Sequence, residues 1–193
     1  VRIDSPYTTF EEFIDGAKTN KLAMGVNNLG APPNLSAVQL ASEFGLEFKT
    51  IALKTVTGTM TGLVGGQVDV AVGQLASYSN FKDDVRPLII LDNQRLPYFE
   101  TRLPGVRTVG DAFPGKDAGV WVRGGFAVKA GTPQESIDRL IEASAALGTE
   151  DFAAKVPPGI DFEYVAGPAV TEVIQGGIDL YSPILEGLGL LQK

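Results

Sequence analysis

Apolar and polar positions along the first half of the chain switch between helical and strand spacing. Phe10, Phe13, Ile14 and Ala17 recur on one helical face, with Thr8 and Thr9 ahead and Glu11 and Glu12 in the first turn. This pattern predicts a helix with a threonine N-cap and acids near the positive end of its dipole. Residues 21–26 then read as a strand, 27–34 as a turn-rich loop, and 35–44 as a helix with Gly45 as its C-cap. The succession repeats: a strand over 48–53, a loop at 55–59, a helix from about 60 to 64, a stop at Gly65-Gly66, and a strand over 68–72. After 74–78 and a charged stretch, 86–91 is mostly apolar, as in a strand buried on both faces. Strand, loop and helix in alternation predict an α/β fold, a mostly parallel sheet flanked by helices. Ligands of such sheets bind beyond the strand C-termini, so the loops after Val26, Leu53 and Val72 are where a site is expected.

The periodicity fades over 92–119, where Pro97, Pro104, Pro114 and several glycines favour loops. Residues 119–130 read as a further strand. Gly131-Thr132-Pro133 then opens an amphipathic helix, with Thr132 as N-cap, Pro133 at the first position and Ile137, Leu140, Ile141 and Ala145 on the apolar face. The last segment, 169–190, predicts a helix that starts near Thr171 and is broken at Gly176-Gly177 and Pro183. Apolar stretches such as 87–91 are strand-length, far short of the roughly 20 residues that cross a bilayer. The start, Val1-Arg2-Ile3, has neither Met nor a basic-then-apolar leader, so a processed or shortened chain is expected.

Composition narrows the chemistry. The 193 residues suit one domain or two small ones, and 44% apolar with 20% charged residues describes a folded globular chain. A net charge of −7 argues against nucleic acid or an anionic membrane as the main partner. There is no Cys and no His. That excludes disulfides, thiolate nucleophiles, Cys-built metal sites and every triad that uses histidine. Carboxylate and lysine chemistry survives, so catalysis is less expected and an enzyme built on those groups stays an alternative; no cofactor and no metal is expected. The acids Glu11, Glu12 and Asp15 read as a solvated helix face.

Three strand-to-helix junctions carry candidate chemistry. The first holds Asn27, Asn28, Gly30, Ala31 and Asn34, where free amides and a helix dipole would attract a carboxylate or phosphate. A plain βα turn capped by Asn34 or Ser36 is the alternative, and the single Gly30 fits neither the P-loop nor the dinucleotide pattern. Asn34-Leu35-Ser36 matches a glycosylation acceptor only formally. The second junction has Lys54, Thr55, Thr57, Gly58 and Thr59. Lys54 supplies the local positive charge that an acidic protein needs for an anion, unless it is a solvated lysine beside capping threonines. The third, after a strand containing Asp69, has Gly73, Gln74 and Ser77; Asp69 reads as a cap or lysine partner slightly more than as a ligand contact. Trp121 and Tyr78 could line a pocket, although a lone Trp on a strand more often packs in a core or hinge.

In order, these segments resemble the solute-binding receptors of tripartite tricarboxylate transporters, the Bug family. Ser5-Pro6-Tyr7 is similar to that family's S-P-Y segment, and the run AMGVNNLG at 23–30 to its Y-G-S-x-G-x-G loop. IALK at 51–54 stands where the family has V-P-Y-K-G, and LVGGQVDV at 63–70 matches L-x-G-G-Q-V-D. Arg86-Pro87-Leu88 with Gln94-Arg95, LPGVRT at 103–108 and AGTP at 130–133 continue the likeness. Asn34 replaces a histidine common in the family, Pro32-Pro33 replace small residues, Leu53 a tyrosine and Thr55 a glycine. The family's opening segment has no counterpart ahead of Val1.

The resemblance implies a periplasmic-binding-protein type II-like fold, with the second lobe over 5–119 and a hinge strand plus the C-terminal portion of the first lobe over 120–193. It implies a periplasmic receptor that closes by a hinge around a small carboxylate or other organic anion and serves membrane transporter subunits. The anion would be held by Asn27, Asn28, Gly30, Ala31, Asn34, Lys54, Thr55, Thr57, Gly58, Gln74 and Ser77, largely through backbone N–H groups. An effector-sensing domain of a transcription regulator is the alternative. With the first lobe incomplete, apolar faces after Trp121 should stand uncovered, and a homodimer of the shortened chain or poor order there is expected.

Overall fold

A computed structural model describes residues 1–120, 124–156 and 164–191. The chain forms two compact units, Val1–Trp121 with Ile184–Lys193, and Val122–Pro183.

The first unit opens with α1 (Phe10–Thr19), started by a capping box: Thr9 accepts from the Glu12 amide while the Glu12 carboxylate reaches back to the Thr9 amide. Strand β1 (Ala23–Val26) feeds α2 (Pro32–Phe44), and β2 (Lys49–Ala52) feeds α3 (Val56–Val64). Strand β3 (Val70–Ala71) leads into α4 (Leu75–Tyr78). The three strands form one parallel sheet in the order β2-β1-β3, with Gly25 opposite Ile51 on one side and Ala71 on the other.

That order fixes the layers. The crossovers β1 to β2 and β2 to β3 run in opposite directions across the sheet, so right-handed connections must place α2 and α3 on opposite faces. The core agrees. Met24, Val26 and Val70 pack with Phe10, Phe13 and Ile14 of α1 and with Ala37 and Leu40 of α2. Met60 and Leu63 of α3, with Val68, cover the other face against Ile51, Leu53 and Ala71. Rings at 5–6 Å join α1, α2 and the segment around Phe113, with Phe10 against Phe13, Phe44 and Phe113.

Helices start earlier than the apolar spacing indicates. Prolines are tolerated in a first helical turn, so α2 begins at Pro32 instead of 35; Thr55 caps α3 through the Gly58 amide, so it begins at Val56 instead of about 60. Residues 86–91 do not join the sheet. Val85 and Ile90 make single bridges, to Arg2 and Thr108 respectively, while Leu88, Ile89 and Leu91 pack on the α1–α2 core. The proline-rich stretch holds two short helices, α5 (Pro97–Arg102) and α6 (Val109–Ala112). Arg95 ties them together, paired with Glu100 and, at 3.2 Å, with Asp111. Its guanidinium holds the Asp111 carboxyl below its ordinary range, and Arg107 does the same for Glu11 of α1.

The second unit contains α7 (Gln134–Ser144), a 3₁₀ turn (Ala145–Gly148), α8 (Glu150–Ala153) and most of α9 (Ala169–Gly187). Pro133 is the N-cap of α7, displacing Thr132, whose hydroxyl donates to the Lys129 carbonyl at 2.7 Å. Helix α9 runs unbroken through Gly176-Gly177 and Pro183. Two glycines cost about 1 kcal/mol each and an internal proline removes one hydrogen bond, which weakens or bends a helix without having to end it. The strand predicted over 119–130 is absent among the described residues, where Phe126 is 91% exposed. Trp121 lies outside the described residues. No described residue of this unit is buried, and Leu140, Ile174 and Ile178 face solvent.

Candidate functional site

In a parallel sheet all strand C-termini lie at one edge, so the turns after β1, β2 and β3 are neighbours. The Leu53 amide donates to the Val26 carbonyl at 2.8 Å, and the Val72 amide to the Gly25 carbonyl at 3.2 Å. Across the first two turns, the Asn28 side-chain amide donates to the Lys54 carbonyl at 3.2 Å. The turn after β1 leads to α2 on one face. The turn after β3 leads to α4 on the other, where Tyr78 packs with the α3 core. Adjacent strands whose connections leave to opposite faces open a crevice between them, and β1 and β3 are such a pair.

Within this edge the predicted residues divide by what they already bind. The Asn34 side chain, 2% exposed, accepts from the Gly30 amide at 2.8 Å. The Ala31 amide donates to the Asn28 carbonyl, and the Asn34 and Leu35 amides to the Ala31 carbonyl. With Pro32 and Pro33 lacking N–H groups, the start of α2 has no spare amide for a ligand. Gly30, at φ 76°, is also covered: a Cβ there would lie 3.0 Å from a methyl of Leu190 and 3.9 Å from one of Leu185, both in the part of the C-terminal segment that belongs to the first unit. No local pattern near Gly30 signals that cover, because it comes from the far end of the chain.

The second turn is more open. Thr55 and Gly58 are engaged with each other, but Val56 and Thr57 are the first helical residues of α3 and have no intrahelical acceptor for their amides. Lys54 is exposed and has φ 68°, alone in that region among the described non-glycine residues. Left-handed backbone at a residue with a Cβ stores strain, which gathers at sites where geometry matters more than stability. In the third turn the Ser77 hydroxyl donates to the Gln74 carbonyl at 2.6 Å, while the Gln74 side chain caps nothing. The three turns contain one charged residue, Lys54, and no acid.

Asp69 is at the opposite edge, where its carboxylate accepts from the Ala23 amide at 2.8 Å and its own amide donates to the Ala23 carbonyl at 2.9 Å. This double clasp is the structural role. A cavity of about 200 Å³ opens there too, lined by Arg2, Ser5, Tyr7, Gly66 and Asp69 among others. Three of its polar side chains are already paired: Arg2 with Asp4, Ser5 with the Tyr7 amide, and Asp69 with the Ala23 amide. Among the described residues no group of three acids converges to hold a metal ion, and no helix is long and apolar enough to cross a membrane.

Fold and edge together define a class: α/β proteins with a crevice at the strand C-termini, flanked by uncapped amides and one lysine. The family model described as tripartite tricarboxylate transporter family receptor, TctC, matches residues 1–190, and the chain belongs to that family. It is a family of solute receptors, not enzymes, and its members are periplasmic binding proteins. The fold is shared with a TctC solute-binding protein from Polaromonas, solved without ligand, at 24% identity and TM-score 0.73, over 97% of this chain and 64% of that one. R. palustris Rpa4515, solved with adipate, aligns at 20% identity and TM-score 0.76, over 98% and 64%. The periplasmic binding protein BugD aligns at 17% identity and TM-score 0.68, over 98% and 64%. The chain thus spans just under two thirds of the length of each. No curated protein sequence matches it.

Proposed function

We propose that this protein captures a small organic anion, a carboxylate first of all, at the C-terminal edge of its sheet and delivers it to the membrane subunits of a tripartite tricarboxylate-type transporter. The observation that carries the reading is electrostatic. A chain of net charge −7 gathers three turns with one lysine, no acid and the free first-turn amides of α3. The working donors are the Lys54 ammonium, the Val56 and Thr57 amides, the Thr57 hydroxyl and the Gln74 side chain. Gly30, Asn34 and Gly58 hold the turns in shape. Binding, not bond making, is the activity, and the periplasm is the compartment. The first unit is the ligand-binding lobe, and the second leads into the receptor's other lobe. The family match favours this reading over an effector-sensing domain of a transcription regulator.

A thermal-shift screen against dicarboxylates including adipate, tricarboxylates, amino acids and aromatic acids tests the assignment. A ligand at 100 times its Kd adds about 2.7 kcal/mol, so one class should raise the melting temperature clearly; a flat response to every class would overturn the reading. The exposed apolar residues of the second unit also imply self-association of this chain. Light scattering is expected to find a dimer or larger, and a clean monomer at high concentration would remove that partner.

A further inference from the structure

The second turn closes on itself around its lysine. The Thr55 amide donates back to the Leu53 carbonyl at 2.8 Å, and Lys54 between them has φ 68°. A bond from residue i+2 to residue i across a centre of positive φ is a γ-turn of the rare, strained kind. Two neighbours hold it shut. On one side the Asn28 side-chain amide, from the first turn, donates to the Lys54 carbonyl at 3.2 Å. Of the two asparagines after β1, Asn28 makes this tether, whereas the Asn27 side-chain oxygen is buried away from solvent. On the other side the Leu53 carbonyl lies against Gly58, the third residue of α3, where a Cβ would come 2.5 Å from the Leu53 oxygen and 2.9 Å from the Thr55 hydroxyl. The atom in the way belongs to the backbone, so no change of rotamer clears it. Glycine is among the poorest helix formers, so α3 carries this one against its own propensity. A Cβ at Gly62 would meet only the tip of the Leu53 side chain, at 2.6 Å, and that methyl can turn away.

From this we infer that Gly58 is a positioning residue of the anion site: by leaving space for the Leu53 carbonyl it lets the γ-turn close, and the closed turn sets the direction in which the Lys54 side chain leaves the backbone. The inference deepens the receptor reading above and rests on it for the ligand. Relaxing φ from 68° to a helical value of about −60° swings Cβ by about 130° around the N–Cα bond, and the ammonium goes with it. Asn28 does the same work from the first turn, as a tether on Lys54. An alanine at 58 acts in two opposite ways, favouring the helix and blocking the turn. Stability alone therefore does not reveal its part, but the strain at Lys54 does, because that strain exists only while the turn is closed.

The test is a pair of double-mutant cycles on the 193-residue chain. The first is read by melting temperature without ligand. Lys54→Gly should raise the parent by about 2 °C and give no rise in Gly58→Ala, where the turn is already open. The second is read by calorimetric titration with succinate, adipate, citrate, glutamate and benzoate. Gly58→Ala should weaken whichever of these bind by about fivefold, but by less than about twofold in a Lys54→Ala background, since a lost position costs nothing once the charge is gone. Gly62→Ala adds a methyl to the same helix and should stay within about twofold of the parent affinity. If Gly58→Ala does not fold, Asn28→Ala releases the other end of the same peptide and should show both couplings. An equal rise in melting temperature in the two backgrounds, an affinity loss that persists without Lys54, or a loss of the same size in Gly62→Ala would sink the inference. If none of the five acids binds the parent, the receptor reading falls and takes the positioning role with it, while the melting temperatures still decide whether Gly58 closes the turn.

Discussion

Replacing Lys54 with glycine is expected to give a protein that is more stable and binds its anion less well. At φ 68° the lysine backbone costs about 1–2 kcal/mol, which glycine does not incur. Glycine's greater freedom in the unfolded chain returns about 0.5–1 kcal/mol of that, so a net gain of about 0.5–1 kcal/mol remains. The same change removes the sole cation of the three turns. A charge-assisted hydrogen bond contributes about 1.5–3 kcal/mol, and the exposure of Lys54 puts it at the low end, so affinity should fall about tenfold. Lys54→Ala keeps the backbone strain and loses the charge; it should match the glycine variant in binding without the stability gain. Urea unfolding and titration with the anion identified by thermal shift read both effects. A glycine variant less stable than the parent would mean that the left-handed turn is not a source of strain.

The largest loss of stability is expected from Gly25→Val. A Cβ at Gly25 would lie 2.8 Å from a Val68 methyl and 3.5 Å from methyls of Leu53 and Thr59, so Val68 can lie this close to the central strand only because the position is empty. Thr59 is 2% exposed and the Val68 side chain is buried, so neither has room to retreat. Overpacking of this kind costs about 3 kcal/mol, or about 10 °C in melting temperature for a chain of this size. The further methyls of valine would press on Leu53 and on Thr59 of α3, beside the Lys54 turn, so binding should weaken in whatever fraction stays folded. Calorimetry on the purified variant checks the first effect. A melting temperature within about 2 °C of the parent would mean the close approach is not there.

Local signals account for the positions of α1, β1, β2 and the ends of α2 and α3, because caps, glycine stops and apolar periods act over a few residues. Thr9 with Glu12, Gly45 and Gly65 each do so. The same locality explains the misplaced elements. Residues 86–91 have a buried strand's apolar run but make only a single bridge, and 119–130 have a strand's composition, yet no strand forms among their described residues. Asp69 illustrates the limit for single residues: an acid near a buried strand suits a ligand or a cap equally, and only the neighbouring Ala23 amide distinguishes them.

By itself the sequence determined that this is an α/β chain without histidine or cysteine chemistry, and that its three strand-end turns hold one lysine and no acid. Those are properties of residue type and spacing. Which of the turn residues are left to meet a guest was decided by tertiary structure alone. Asn34 is used up on Gly30 and Gly30 is covered by Leu190, because hydrogen bonds and contacts between segments allot each donor and acceptor and no periodicity records the allotment.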